Sequence, residues 1–128
     1  MISISVSVDV PSLDEGLRFC GEAFGFTKVS EPFPGVAVLH ADSAELLLLA
    51  RESGTAPCPH TEAKRHYNRH WTPVHIDFHV DDFKASLTKA LGAGAKQERL
   101  FEKPGRPAVA FCSDPFGHGF CLIESRKS

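Results

Sequence analysis

A short segment near the middle of the chain carries three side chains that can bind metals or transfer protons. His75, Asp77 and His79 alternate with apolar residues between Val74 and Val80. Strict alternation predicts a half-buried β-strand with these three side chains on one face. Side chains two residues apart on a strand are separated by about 6.8 Å. His75 and His79 are therefore too distant to share one ion, whereas His75 and Asp77 could bind one together, or Asp77 could orient an imidazole. The plainer interpretation is a polar cleft wall with ordinary solvation.

The same pattern occurs near the N-terminus, 70 residues earlier (4 to 74, 10 to 80). Ser5, Ser7 and Asp9 alternate there with apolar residues between Ile4 and Val10. A sheet edge that is merely solvated does not require polar faces on two strands at equivalent positions of a repeat. We therefore expect both faces to look into one cleft.

The elements that must position these strands form a repeated pattern. Ser12 with Glu15 three residues later, and Asp82, predict helix N-termini. The face Leu13, Leu17, Cys20 and Phe24, and the face Phe83, Leu87 and Leu91, predict the two helices. Three short strands follow each helix, at roughly 27–32, 36–41 and 44–50, and at roughly 95–102, 107–113 and 118–124. The chain is thus predicted to be one α+β domain made of two β-α-β-β-β modules, the first over 1–50 and the second over 74–125. A connection over 51–73 joins them, and its residues 61–68 could form a short helix.

Composition excludes several classes of function. The 128 residues are 42% hydrophobic and 23% charged, with 14 Lys and Arg against 16 Asp and Glu. This balance argues against nucleic acid or an anionic membrane as the main partner. The four cysteines form no C-x-x-C pair, and the N-terminus shows no signal peptide. We expect free thiols and a cytoplasmic protein.

Two motifs resemble a known superfamily. They are Val74-His75-Ile76-Asp77-Phe78-His79-Val80-Asp81-Asp82 and Asp114-Pro115-Phe116-Gly117-His118-Gly119-Phe120. With the paired modules, they resemble the vicinal oxygen chelate superfamily, which includes glyoxalase I, bleomycin-resistance proteins, extradiol dioxygenases and fosfomycin-modifying enzymes. The resemblance implies tandem β-α-β-β-β modules whose mixed sheet curls around a cleft, the glyoxalase/bleomycin resistance/dioxygenase fold.

The resemblance also implies where a divalent metal would lie. Its ligands come from the first and last strands of each module. These positions fall on Ser5 and Leu47 in the first module and on His75 and Cys121 in the second, where the family usually has Glu at the last position. Because catalytic sites usually need about three protein ligands, and only His75 and Cys121 among these four positions can coordinate, no metal is expected. The predicted ligand-binding cleft is lined by Ser5, Ser7, Leu47, His75, Asp77, His79 and Cys121.

The connection holds a second group of reactive residues. Cys58, His60, His66 and His70 could indicate zinc, but without a closely spaced second cysteine a polar linker is the favoured interpretation. Arg65, Tyr67, Arg69 and Trp71 could close over an anionic or planar ligand. They could equally pack at a dimer or module interface, and the sequence leaves this choice open.

Two functions from different classes fit these patterns. The first is a small-molecule-binding protein of the bleomycin-resistance type, holding an organic ligand in an apolar cleft between modules without the usual catalytic metal. The alternative is a divalent-metal-dependent lyase or dioxygenase of the glyoxalase type, with an atypical site at His75 and Cys121. A homodimer is expected, since closed two-fold dimers are the commonest soluble assemblies. A purely structural subunit accounts for neither polar strand face.

Overall fold

Two compact units, Met1–Tyr67 and a second beginning at Asn68, make up the computed structural model, which describes residues 1–125. Each unit has the order strand, helix, strand, strand, strand. The first contains β1 (Val6–Val10), α1 (Leu13–Phe24), β2 (Thr27–Phe33), β3 (Val36–Ala41) and β4 (Ala44–Ala50). The second contains β5 (Ile76–Val80), α2 (Phe83–Ala93), β6 (Lys96–Phe101), β7 (Val109–Ser113) and β8 (Gly119–Glu124).

Each unit folds its strands into one four-stranded mixed sheet. The strand order is β1-β4-β3-β2 in the first unit and β5-β8-β7-β6 in the second. In both, the first strand pairs in parallel with the last, and the other pairs are antiparallel. A parallel pair needs a long crossover, which the helix and two intervening strands supply. The predicted fold class, two β-α-β-β-β modules with mixed sheets, is confirmed.

The predicted helix ends are also confirmed. The Ser12 hydroxyl accepts a hydrogen bond from the Glu15 backbone N–H at 3.2 Å, and the Asp82 carboxylate accepts one from the Ala85 N–H at 3.1 Å. These side chains satisfy backbone donors that a helix leaves open at its start. Helix α1 ends at Gly25, whose φ of 77° is the left-handed conformation that glycine adopts without strain.

The buried helix faces differ from the predicted ones. On α1 the buried residues are Gly16, Phe19, Cys20 and Ala23, and on α2 they are Phe83 and Ala90. Leu17 and Leu87 are only half-buried, and Leu91 is exposed. A Cβ at Gly16 would lie 2.8 Å from Leu48 and 3.0 Å from Val10. Small residues therefore let α1 lie close against its sheet, which rotates the leucines away from the core.

The first strand of each unit is shorter than predicted. β1 begins at Val6 and β5 at Ile76, so the alternating residues Ile4 and Val74 lie outside the strands and are exposed. Ser5 and His75 accordingly precede their strands. The two strands still begin 70 residues apart (6 to 76), as the repeat predicts.

The predicted helix over 61–68 is wrong, because within the described chain this segment has no regular structure. It folds back on the first unit instead. The Arg65 backbone exchanges hydrogen bonds with Gly54 and Thr55, and the Arg65 guanidinium donates to the Asp9 carboxylate at 2.8 Å. The Tyr67 hydroxyl donates to the Arg51 carbonyl. Side-chain and backbone partners elsewhere in the unit thus replace the hydrogen bonds of a helix. No helix among the described residues is long and apolar enough to cross a membrane.

Candidate metal and ligand site

Three potential metal ligands converge on the second sheet. His75 lies one residue before β5, Asp77 lies on β5 and Cys121 lies on β8. The parallel register places Asp77 directly opposite Cys121, and His75 is two residues from Asp77, on the same side. One donor atom of each residue lies within 4.8 Å of the others. The strand register thereby joins the sequence-predicted neighbours His75 and Asp77 to Cys121, which lies 44 positions after Asp77 along the chain.

Two of the three donors are exposed and one is buried. The His75 Nε2 and the Asp77 Oδ1 are 3.0 Å apart, and these side chains are 49% and 44% exposed. Cys121 is only 4% exposed. Burial, and then the neighbouring Asp77 carboxylate, raise the pKa of the Cys121 thiol to about 11. The thiol is therefore neutral at physiological pH, and binding a metal there would release its proton.

This donor set fits a divalent transition metal. Imidazole nitrogen, carboxylate oxygen and thiolate sulfur suit zinc and its neighbours better than magnesium or calcium. Ligand atoms around a tetrahedral zinc are about 3.3–3.7 Å apart. The His75–Asp77 separation is already close to this range, and the exposed His75 and Asp77 side chains can turn toward the fixed sulfur. Three protein ligands would leave one coordination position open, as in catalytic sites.

This geometry weakens the argument for a metal-free site. That expectation counted only His75 and Cys121 as ligands, because alternation along β5 does not reveal which strand lies beside it. The parallel pairing with β8 makes Asp77 a third candidate. His79 is not a member of the three-residue group; it is exposed and pairs in register with Ile123.

The equivalent position in the first unit carries different residues. Ser7 lies opposite Leu47 in the same register as Asp77 opposite Cys121. The predicted equivalence of Leu47 and Cys121 is therefore correct. Ser5 and Ser7 are exposed and Leu47 is half-buried. A hydroxyl and an alkyl side chain replace the carboxylate and thiol of the second unit, so this face offers polar and apolar contacts. Its role in binding a ligand stays a prediction.

Sequence reasoning missed three residues that share the face of Asp77 and Cys121. The register places Phe111 opposite Cys121, and Arg99 opposite Phe111. Phe101 follows Arg99 by two residues and so lies on the same face. Alternation could have assigned Phe111 to the face of Cys121 once the β7–β8 hairpin was recognised. No local signal identifies the face of Arg99, because an irregularity in β6 decides it.

His70 of the connection contacts the β7–β8 turn. His70 Nε2 lies 3.1 Å from His118 Nδ1, and His70 Nδ1 lies 2.8 Å from the Asn68 carbonyl oxygen. The Asp114 carboxylate accepts hydrogen bonds from the backbone N–H groups of Phe116 and His118. Burial raises the pKa of Asp114. These contacts attach the start of the second unit to the β7–β8 turn, and they place His70 beside His118.

Comparison with known proteins identifies the family. The profile of the glyoxalase-like domain matches residues 5–123. The chain therefore belongs to the glyoxalase-like domain family, within the vicinal oxygen chelate superfamily that the two sequence motifs resemble. A comparison with curated protein sequences finds no match.

Solved structures share the fold at low sequence identity. Lactoylglutathione lyase from Agrobacterium tumefaciens is 19% identical with a TM-score of 0.65, and 96% of this chain and 93% of that chain are covered. The fosfomycin resistance protein FosX from Listeria monocytogenes is 14% identical with a TM-score of 0.72, covering 98% and 96% of the two chains. A mutant of that FosX, 15% identical with a TM-score of 0.70 over 96% and 90%, is complexed with Mn(II) and a dihydroxypropylphosphonic acid.

Proposed function

We propose that this chain binds a small organic ligand on the face of the second sheet that carries Asp77 and Cys121, and that His75, Asp77 and Cys121 hold a divalent transition metal beside it. The observation that carries the proposal is the convergence of these three donors within 4.8 Å. Family membership supports it, because a related structure of the same fold binds Mn(II) and a phosphonate.

Each residue has a distinct part in this proposal. Cys121 is fixed by burial and would supply the anchoring thiolate. Asp77 and His75 are exposed and would complete the ligand set. A metal bound there would act as a Lewis acid that polarises a carbonyl or hydroxyl oxygen. If a reaction follows, we expect it to be of the glyoxalase lyase or dioxygenase type.

Metal analysis tests this proposal directly. Protein purified without chelators is examined for Zn, Ni, Mn and Fe, and apo protein is titrated with zinc. We expect one equivalent of metal in the parent protein and loss of at least about tenfold in zinc affinity in His75→Ala and Asp77→Asn, because even the outer-shell partners of metal ligands are worth about that much and a direct ligand contributes at least as much.

A matched control is available on the same strand face. His79→Ala removes an exposed imidazole two residues from Asp77 that is not part of the donor group, so zinc affinity should be unchanged. Equal loss in His79→Ala and His75→Ala would mean that zinc binds surface histidines generally. Absence of metal in the parent protein, together with no zinc binding, would contradict the metal part of the proposal.

Metal-free ligand binding is the second candidate. It is favoured by the raised pKa of Cys121, because deprotonating this thiol at neutral pH costs free energy that metal binding must supply. Thermal-shift screening of apo protein with small organic anions distinguishes the two. A ligand that stabilises the chelator-treated protein as much as the zinc-loaded protein supports metal-free binding.

A further inference from the structure

One transverse row of side chains crosses all four strands of the second sheet. The register links Asp77 to Cys121, Cys121 to Phe111, and Phe111 to Arg99. Directly paired residues point to the same side of a sheet. The Asp77–Cys121–Phe111–Arg99 row therefore places potential metal ligands at one end, an aromatic ring in the middle and a guanidinium at the other end.

An irregularity in β6 gives Arg99 its place in this row. The β6–β7 register runs Lys96 to Ser113 and Gln97 to Cys112, then shifts so that Arg99 lies opposite Phe111. Without the extra residue, Glu98 would pair with Phe111 and Arg99 would turn to the helix side. Such bulges re-aim side chains next to functional sites. Glu98 itself pairs with Arg69 at 2.7 Å, so its carboxylate is already bound to another guanidinium.

Two aromatic rings form an apolar surface beside Arg99. The Phe101 and Phe111 ring centroids are 5.7 Å apart, and these residues are 40% and 37% exposed. The Arg99 Cζ lies 5.0 Å from the centroid of Phe101. Stacking of the guanidinium on a ring limits its freedom while its N–H donors stay available. The exposed apolar surface suits the flat body of a ligand, and the positioned cation beside it suits an anionic group on the same ligand.

From this arrangement we infer that Arg99, Phe101 and Phe111 form a subsite for an aromatic anion, a planar apolar molecule carrying a carboxylate, sulfonate or phosphonate. The inference rests on the part of the proposed function that places a small organic ligand on this face. Arg99 binds the anionic group and the two rings contact the planar body. Neighbouring strands are about 4.8 Å apart, so the Arg99 backbone lies two strands, or about 10 Å, from that of Cys121. A ligand of one or two fused rings spans that distance.

Binding of naphthalenesulfonate to the full-length, chelator-treated protein tests the subsite. This fluorescent probe has a flat ring system and one anionic group, and naphthalenesulfonamide is its neutral counterpart. We expect Arg99→Gln to weaken sulfonate binding about tenfold, because a charged hydrogen bond is lost, and to leave sulfonamide binding unchanged. Phe111→Leu should weaken both probes about threefold to tenfold through loss of ring stacking.

Two controls establish specificity. Arg18→Gln removes an exposed arginine of the same charge on α1 in the first unit, and should leave both affinities unchanged. Arg99→Lys keeps the charge and loses the planar fork, so it should recover part of the sulfonate affinity. Melting temperatures of all variants show that the fold is retained.

Several results would overturn the subsite. They are failure of the parent protein to bind naphthalenesulfonate at millimolar concentration, unchanged affinity in Arg99→Gln, and equal losses in Arg99→Gln and Arg18→Gln. A Phe111→Leu variant that changes the mass measured by light scattering but not sulfonate affinity would assign this face to a second copy of the chain, and would also overturn the inference.

The proposed metal site and the proposed Arg99 subsite can be tested independently of each other. His75→Ala should lose zinc and keep Arg99-dependent binding of naphthalenesulfonate, which supports the subsite. A parent protein that binds no zinc but shows the Arg99 dependence contradicts the metal site alone. A parent protein that binds zinc and shows no Arg99 dependence contradicts the subsite alone.

Discussion

At the scale of single residues, burial separates the four cysteines into two chemical classes. All four are free thiols, as the sequence predicts; Cys58 is exposed, whereas Cys20, Cys112 and Cys121 are buried. Burial raises the pKa of both Cys112 and Cys121 to about 11. Because the thiolate is the nucleophile, these two side chains are poorly reactive at neutral pH even though Cys121 lies in the candidate site.

Alkylation kinetics test this difference. At pH 8, the buried Cys121 should react with iodoacetamide about 100-fold or more slowly than the exposed Cys58, because a pKa raised from 9.0 to about 11 leaves Cys121 with very little thiolate. Its rate should rise up to a pH of about 11, and bound zinc should slow it further. Mass spectrometry of the modified peptides gives both rates, and unfolding in denaturant should make them equal. A Cys121 rate equal to that of Cys58 in the folded protein would contradict the observed burial.

At the scale of elements, the β7–β8 turn is held by the segment that begins the second unit. Gly117 donates its N–H to the Asp114 carbonyl, and its own carbonyl accepts from the His70 N–H at 3.1 Å. Its φ is 86°, and an added Cβ would overlap the Asn68 carbonyl oxygen. Both the left-handed backbone and the close approach of Asn68 therefore require glycine here.

Substitution of two glycines separates these effects. Gly105 also has positive φ, 78°, but a Cβ there meets nothing within 4 Å. Gly105→Ala should lose about 1 kcal/mol from backbone strain alone, and Gly117→Ala should lose about 1–3 kcal/mol more from overpacking. Urea denaturation of both variants measures the difference. Equal losses would show that the approach of Asn68 is not restrictive.

The ion pair between Arg69 and Glu98 gives the fold a dependence on pH. The hydrogen bond from Arg69 lowers the pKa of Glu98 below its usual 4.5. A carboxylate whose pKa is lowered on folding stabilises the native state above the unfolded pKa and ceases to do so as pH falls through the lowered folded pKa. This contribution should thus be complete at neutral pH and decline below pH 4.5.

Glu98→Gln tests this dependence. Because the pair is partly exposed, we expect only about 0.5–1 kcal/mol less stability at pH 7, with the difference vanishing in acid. Chemical denaturation across pH 2 to 7 measures it. Glu102→Gln, which removes an exposed carboxylate after β6, is the matched control. A deficit in Glu98→Gln that persists in strong acid would contradict the assignment to ionisation.

At the scale of the whole molecule, the two units share one topology but differ in the side chains at equivalent positions. The strands at equivalent positions pair in the same way, yet Ser7 and Leu47 occupy the places of Asp77 and Cys121. Of the two aromatic residues predicted to anchor a dimer, Tyr67 donates to Arg51 within its own unit, whereas Trp71 is 82% exposed. Trp71 is therefore the better candidate for an intersubunit contact.

The homodimer stays a prediction that light scattering can test. We expect a mass about twice 14.0 kDa at micromolar concentration, because closed two-fold dimers are the commonest assemblies. Trp71→Ala should shift the protein toward the monomer, since buried tryptophans often dominate interfaces. Phe33→Ala removes another exposed aromatic residue as a control. A mass near that of one chain for the parent protein would contradict the dimer.

Local sequence determined much of this protein. Alternation, capping residues and apolar helix faces predicted both helices and all eight strands, because strand and helix periodicity record which side of an element is buried. The superfamily resemblance also implied that Leu47 and Cys121 occupy equivalent positions, and the strand pairing agrees with this.

Tertiary structure decided the features that depend on contacts distant in sequence. The bulge that places Arg99 opposite Phe111 is fixed by pairing with β7, and the three potential metal ligands come together only when β8 lies beside β5. The segment predicted as helical is instead held by an ion pair between Arg65 and Asp9, which lie 56 residues apart in the sequence. Periodicity cannot reveal such partners, because it describes one helix or strand at a time. The positions of these side chains depend on contacts between two segments.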